Sequence, residues 1–262
     1  MQAIKTRNIN GIFTVTISRP DVRNAFNEVL IDELLNVFQK IDKDTSVRVV
    51  VLCGEGSVFC AGGDLNWMKK SIELSATENL EDTTKLTLMF ETMNNCTKPV
   101  VGLIQGAAIG GGVGLVSVCD YVVAAKDTVF SLSEVRLGII PACIGPFVVA
   151  KIGESHARSL FISAERFQAA RAYEVGLVHE LVENVAALEQ ARDRITTNLL
   201  QCGPNAMAAV KRLIRGIKER TDDRKECLHF VAKMLADLRV TPEGQEGLKA
   251  FLEKRKPSWI QK

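Results

Sequence analysis

The chain has 262 residues, 47% of them hydrophobic and 24% charged, with a formal net charge of +2 at pH 7. That length suffices for one large domain or a core with a smaller appendage, and the balance is that of an ordinary globular protein. So small a net charge implies no strong electrostatic partner, and neither a nucleic acid nor a membrane partner is expected.

The opening segment "MQAIKTRNINGIFTVTISRP" has no apolar signal core and passes straight into a strand pattern. "IFTVTIS" (12–18) is rich in β-branched residues and stops at Arg19-Pro20, which predicts a strand. "NEVLIDELLNVFQKID" then places Ile31, Leu34, Leu35, Phe38 and Ile41 on one helical stripe. "VRVVVLCGEG" (47–56) is continuously apolar and reads as a strand buried on both faces. A glycine turn, "GSVFCAGGDLNWM" (56–68), follows it. A helical stretch over about 77–95 leads to Lys98-Pro99, the strand "VVGLIQG", a glycine run, and the short strands "YVVAA" and "TVFSL". Strands alternate with helices through about residue 182, which argues α/β layering.

From about 185 the pattern is wholly helical. "GPNAMAAVKRLIRGIKER", "DDRKECLHFVAKMLADL" and "TPEGQEGLKAFLEKRKP" each open on a helix-entry signal and carry an apolar stripe. This divides the chain into a core over 1–200 and a helical part over 201–262 that packs back on the core or against a neighbouring subunit. The basic "KRLIRGIKER" (211–220) has few aromatic neighbours and reads as a solvated helix face. Seven cysteines include no CxxC pair, and His156, His179 and His229 form no metal-ligand spacing. Reduced thiols and a cytoplasmic location, or an organelle matrix, are expected.

The run "QGAAIGGGVGLVSVCD" (105–120) admits three uses. A membrane span is long enough in residue count, but Gln105, six glycines between 102 and 114, the preceding Pro99 and the lack of a flanking basic cluster oppose it. A phosphate loop fails on spacing: Gly110, Gly112 and Gly114 give G-x-G-x-G, and no Lys-Ser/Thr pair follows. In the third, a strand ends near Gln105 and a helix begins at Gly111 or Gly112, leaving N–H groups free to stabilise an oxyanion. The turn at 56–68 offers a second donor. From the residues alone, a pair of merely structural tight turns explains the pattern equally well.

Taken together, "SRPDVRNAFN", "VFCAGGDL", "KPVVGLIQGAAIGGGVGL", "CDYVVAAKDTVFSLSEVRLGIIP" and "GQEGLKAFLEKRKPSW" resemble the enoyl-CoA hydratase/isomerase (crotonase) superfamily in order and spacing. "SEVRLGIIPACIGPFVVAKIG" and the C-terminal segment are most similar to bacterial methylglutaconyl-CoA hydratases of leucine degradation; similar sequences act on isohexenylglutaconyl-CoA. The resemblance implies a spiral of ββα units, a C-terminal helical trimerisation part and a homotrimer or homohexamer. It implies an acyl-CoA thioester substrate, with coenzyme A entering as part of that substrate and no separate cofactor. Two backbone donors for the thioester oxygen fall on Gly63 and Gly111. Ala61, Gly63, Asp64, Leu65 and Asn66 would line the CoA moiety, Arg23 would meet its phosphates or be an exposed structural arginine, and Phe251 and Lys254 match C-terminal positions that reach CoA. Glu134, flanked by apolar residues, falls on a catalytic acid, with a surface pair to Arg136 as its bland alternative.

The two-glutamate hydratases of the superfamily carry a second acid at the position of Gly114, about one helical turn beyond Gly111. Two explanations follow. A substrate with its own distal carboxylate would be repelled by a glutamate there, so glycine removes the charge and gives room. Alternatively, one acid suffices because the reaction is a Δ3,Δ2-enoyl-CoA isomerisation. A non-catalytic CoA- or RNA-binding protein of the same fold is the reading from another class, opposed by the net charge and by Glu134. Cys143 either borders the acyl pocket or is a small buried apolar residue, Cys60 sits in the turn before Gly63 with no histidine near it in sequence, Ser117 lies outside any G-x-S-x-G, and Trp67 and Met68 either shape the acyl channel or anchor a helix.

Overall fold

The structure, a computed structural model, describes residues 2–260. In chain order its strands are β1 (Ile4–Ile9), β2 (Ile12–Ile17), β3 (Val49–Gly54), β4 (Val100–Ile104), β5 (Ala107–Ile109), β6 (Tyr121–Ala125), β7 (Val129–Ser131), β8 (Arg166–Gln168) and β9 (Glu180–Val182). Its α-helices are α1 (Glu28–Lys43), α2 (Leu65–Glu73), α3 (Ala76–Asn94), α4 (Gly111–Ser117), α5 (Gly145–Ser163), α6 (Ala169–Glu174), α7 (Val185–Leu200), α8 (Pro204–Lys218), α9 (Arg224–Arg239) and α10 (Pro242–Leu252).

The main sheet runs β1-β2-β3-β4-β6-β9, with β1 antiparallel to β2 and every later pairing parallel. A second sheet, β5-β7-β8, pairs β5 parallel to β7 and β7 antiparallel to β8. Parallel strands need crossovers, and α1 links β2 to β3, α2 and α3 link β3 to β4, α4 lies between β4 and β6, and α5 and α6 lie between β6 and β9, so the α/β layering expected from the alternating pattern is present.

β3 shows why its sequence is unbroken in apolarity. Val50 and Leu52 face the large core with Leu30, Leu34 and Phe38 of α1, whereas Val49 and Val51 face Leu188, Ala191 and Ile195 of α7. Successive side chains on a strand point to opposite faces, so a strand covered on both sides has no polar position. Asn27 caps α1 by accepting the Leu30 N–H at 3.0 Å, and the expected stripe is buried except for Leu35, which is half-buried.

The C-terminal helices pack on one another, α9 and α10 against α8. The basic stretch 211–220, in α8 and just beyond it, is mostly exposed, and three of its cations are engaged. Lys211 pairs with Asp120 at 2.7 Å, Arg215 bonds Asn95, and the Arg220 guanidinium lies 4.3 Å from the Phe230 ring centroid. Among the described residues no helix is long and apolar enough to cross a membrane, and no cluster of metal-ligating side chains forms.

Candidate active site

Two glycine turns leave the ends of neighbouring parallel strands, and a ladder of backbone bonds laces them together. Past β3, Phe59 N–H donates to Gln105 O and Cys60 N–H to Ala107 O, and Ile109 N–H returns a bond to Cys60 O, each at 3.0 Å. On the far side of the same segment, Phe26 N–H donates to Gly62 O at 2.7 Å and Asp64 N–H to Phe26 O at 2.8 Å. A Cβ at Gly112 would stand 2.6 Å from the Cys60 carbonyl oxygen, so glycine lets α4 start this close to the first turn. Among the described residues neither Gly63 N–H nor Gly111 N–H donates to a protein acceptor.

Glu134 reaches the same place from the second sheet. Ile109 and Ser131 are register partners on β5 and β7, and Gly110 N–H donates to Ser131 O at 2.8 Å. Parallel pairing sends both chains out of the sheet side by side, one into Gly110-Gly111 and the other into the 3-10 turn Glu134–Leu137. Glu134 Oε1 lies 3.0 Å from where a Cβ on Gly110 would be, and Gly110 has φ +52°, so a side chain there is opposed twice over. The other carboxylate oxygen, Oε2, is buried with no hydrogen-bond partner among the described atoms. Burial raises the carboxyl above the ordinary range, against a smaller opposing effect of its own backbone N–H. Glu134 makes no ion pair with Arg136 among the described residues, so the bland surface pair is not formed. A half-buried, proton-retaining acid with a free oxygen beside unpaired N–H groups can pass protons to and from a bound carbonyl compound.

The remaining residues named from the sequence are dispersed. Ala61 N–H donates to Arg23 O at 3.0 Å, so the two lie at one turn, with the Arg23 side chain exposed. Leu65 and Asn66 are exposed in the first turn of α2. Asp64 is 6% exposed and its carboxylate is already engaged: Oδ1 accepts the Asn66 N–H at 2.8 Å and Oδ2 pairs with Arg19 at 2.8 Å. Burial works to raise that carboxyl, but the Arg19 bond and the α2 N–H groups outweigh it and hold it low. Phe251 in α10 is 81% exposed, and Lys254 lies just beyond that helix, which packs on α8 and α9. Two clefts, of about 610 and 340 Å³, centre on Arg48 and Trp259 and include none of these residues.

Gly114 requires a correction. The space beside it is filled, not open: a Cβ there would stand 2.3 Å from Ile144 Cγ2 and 2.9 Å from two carbons of the Phe90 ring. Both neighbours are in the core, Ile144 3% exposed and Phe90 fully buried. Glycine at 114 therefore makes room for Ile144 and Phe90, and for no acyl group.

Asn24 and Phe26 contribute to the site and lie outside the candidates named from the sequence. Asn24, fully buried with φ +57°, accepts the Arg19 N–H at 2.8 Å and donates to Glu55 O and Val58 O. It fixes the turn that Phe26 then carries to Gly63 and Gly111; a Cβ on Gly111 would meet the Phe26 ring at 2.9 Å. The "RNAF" segment did carry a signal, since asparagine tolerates the left-handed region and can bond back to nearby backbone. Met68 packs over Gly63, and Trp67 Nε1–H reaches Asp82 at 3.4 Å. Cys60 is fully buried, and desolvation pushes its thiol up to about 12, which removes it as a nucleophile at neutral pH.

Comparison with known proteins agrees with this geometry. The family model described as enoyl-CoA hydratase/isomerase matches residues 7–262. The 2,3-dehydroadipyl-CoA hydratase of Escherichia coli is 32% identical over 249 residues, 95% of this chain and 94% of that protein. A trans-2-decenoyl-[acyl-carrier-protein] isomerase of Streptococcus mutans is 29% identical, over 97% of this chain and 96% of its own length. The crystal structure of an enoyl-CoA hydratase from Shewanella pealeana superposes with a TM-score of 0.95 at 35% identity, covering 98% of this chain and 96% of that one. The chain therefore has the crotonase fold, belongs to the enoyl-CoA hydratase/isomerase family, and is an enzyme of the hydro-lyase type that this family contains.

Proposed function

We propose that the protein adds water reversibly to a 2-enoyl-CoA thioester that carries its own distal carboxylate, with methylglutaconyl-CoA of leucine degradation as the substrate. The thioester oxygen sits between the N–H groups of Gly63 and Gly111. As water adds at C3, negative charge moves onto that oxygen, and losing one such donor costs on the order of 3 kcal/mol in a comparable hole. The water gives up a proton as its oxygen bonds C3, and C2 takes one up as the enolate collapses; Glu134 handles both. Coenzyme A enters as part of the substrate and no separate cofactor is used. Its moiety runs along the turn of Arg23, Ala61, Gly63, Leu65 and Asn66, with the backbone of Asp64, while Phe251 and Lys254 serve a neighbouring copy in a homotrimer or homohexamer.

The observation that carries this reading is Glu134, whose carboxyl meets the Gly110-Gly111 turn through Oε1 and keeps its other oxygen, Oε2, buried and without a partner among the described atoms. The substrate class is supported by the E. coli relative, because 2,3-dehydroadipyl-CoA is a 2-enoyl thioester with a carboxylate at its far end. No acid stands at position 114 to repel such a group. The second reading, a shift of a 3-enoyl double bond, is favoured by the same lack of a second acid and by the isomerase relative. The deciding experiment offers the purified enzyme methylglutaconyl-, crotonyl- and 3-enoyl-CoA. Hydration of the first, faster than the second, is expected. Conversion of the 3-enoyl substrate without hydration of either 2-enoyl substrate would replace the hydratase reading with the isomerase one.

A further inference from the structure

Phe26 touches both donor turns, each with a different part of itself. Its main chain pairs in parallel with the first turn, opposite Gly63: Phe26 N–H donates to Gly62 O at 2.7 Å, and Phe26 O accepts the Asp64 N–H at 2.8 Å. Successive residues of an extended chain turn their polar groups to opposite sides, so bonds to 62 and 64 aim the Gly63 N–H away from Phe26. Its side chain reaches the second turn, where a Cβ on Gly111 would stand 2.9 and 3.1 Å from two carbons of the Phe26 ring. Phe26 is 2% exposed, and the buried Phe90 ring packs on it with centroids 6.0 Å apart, so the ring has no solvent to swing into. The backbone around it is bracketed as well. Asn24 donates to Glu55 O and Val58 O, and Arg19 donates to Ala25 O while pairing with Asp64.

We propose that Phe26 is a positioning residue for the two backbone donors: its paired main chain aims the Gly63 N–H, and its ring sets how near Gly111 can come, so that both N–H groups meet one thioester oxygen. The inference rests on the reading above that these two groups polarise the thioester carbonyl. Two donors serve one oxygen only when each lies about 2.7–3.1 Å from it. A displacement of about 1 Å costs on the order of 100-fold in rate. A flat ring with two torsions is a spacer of fixed size, which a flexible side chain is not. Leucine at 26 keeps an apolar side chain but has no atom where the Phe26 Cε2 meets Gly111.

The test binds methylglutaconyl-CoA, carrying carbon-13 at its thioester carbonyl, to the Glu134→Gln enzyme and reads the carbonyl stretch by difference infrared spectroscopy. Donors at the oxygen should move that stretch to lower frequency. Phe26→Leu in the same background should bind the thioester with similar affinity and lose most of the move. With Glu134 intact, Phe26→Leu should lower kcat for hydration about tenfold or more with KM little changed. Phe38→Leu controls for a merely loosened core. Phe38 is fully buried in the same cluster but lies about 15 Å along α1 from its first residue, and its variant should keep both the shift and kcat. If Phe26→Leu does not fold, Phe26→Met, which keeps most of the volume without a fixed ring, decides by the same readouts. An unchanged carbonyl shift in the Phe26 variants, or a loss of shift and kcat that Phe38→Leu matches, overturns the inference alone. A Glu134→Gln enzyme that binds the thioester without a shift, or does not bind it, overturns the two-donor reading and the inference with it.

Discussion

At the scale of single residues, Glu134 sets catalysis against stability. Its carboxyl is raised by burial, so the folded chain holds the proton to higher pH than the unfolded chain does. Below the ordinary carboxylate pKa both states are protonated and the group is neutral to folding. As pH rises past that value the unfolded chain ionises first, and stability falls until the folded carboxyl also ionises. Glu134→Gln removes this loss. Thermal melts should show the variant above wild type at pH 8 and nearly level with it at pH 3.5, below the ordinary carboxylate range. A variant that melts below wild type at pH 8 would mean that the carboxylate is satisfied in the fold and not desolvated.

At the scale of elements, the loop that carries Gly63 is held by one ion pair. Arg19 and Asp64 meet at 2.8 Å with side chains 17% and 7% exposed, and Asp64 also caps α2. Asp64→Ala removes the cap and leaves a mostly buried guanidinium without its partner, for an expected loss of about 3 kcal/mol in urea unfolding. Asp64→Asn keeps a capping oxygen and should lose less. Equal stability of Asp64→Ala and wild type would show that Arg19 finds a replacement partner. Elements whose pattern is local were legible in the sequence: the α1 stripe, the doubly buried β3, the helix starting at Gly111 and the helices beyond 185. Short strands such as β5 and β8, three residues each, carry too little periodicity to be read, and α2 has no buried residue to mark it. The turns at Gly63 and Gly111 and the acid at Glu134 could be singled out in the sequence, and the structure brings the Gly110-Gly111 turn and Glu134 together. The site was misread at Gly114, because what fills that space comes from Phe90 and Ile144, 24 residues before and 30 after. A glycine in a sequence announces an absent side chain but not what replaces it.

At the scale of the whole molecule, the helical part leaves large apolar side chains in solvent: Val210, Ile214, Leu228, Leu235, Leu248, Phe251 and Leu252. Single exposed apolar residues are ordinary, but so many on three packed helices suit a covered face. Sedimentation equilibrium should give a trimer or a hexamer, and Phe251→Asp should weaken assembly; a monomer at micromolar concentration would contradict the shared CoA site. The account as a whole turns on one carboxyl moving the protons of hydration. Steady-state hydration of methylglutaconyl-CoA by wild type and Glu134→Gln measures that most directly. A fall in kcat of about 100-fold or more, with KM within a few-fold, is the result expected of a general acid–base lost from an intact site. Retention of kcat in Glu134→Gln would contradict it.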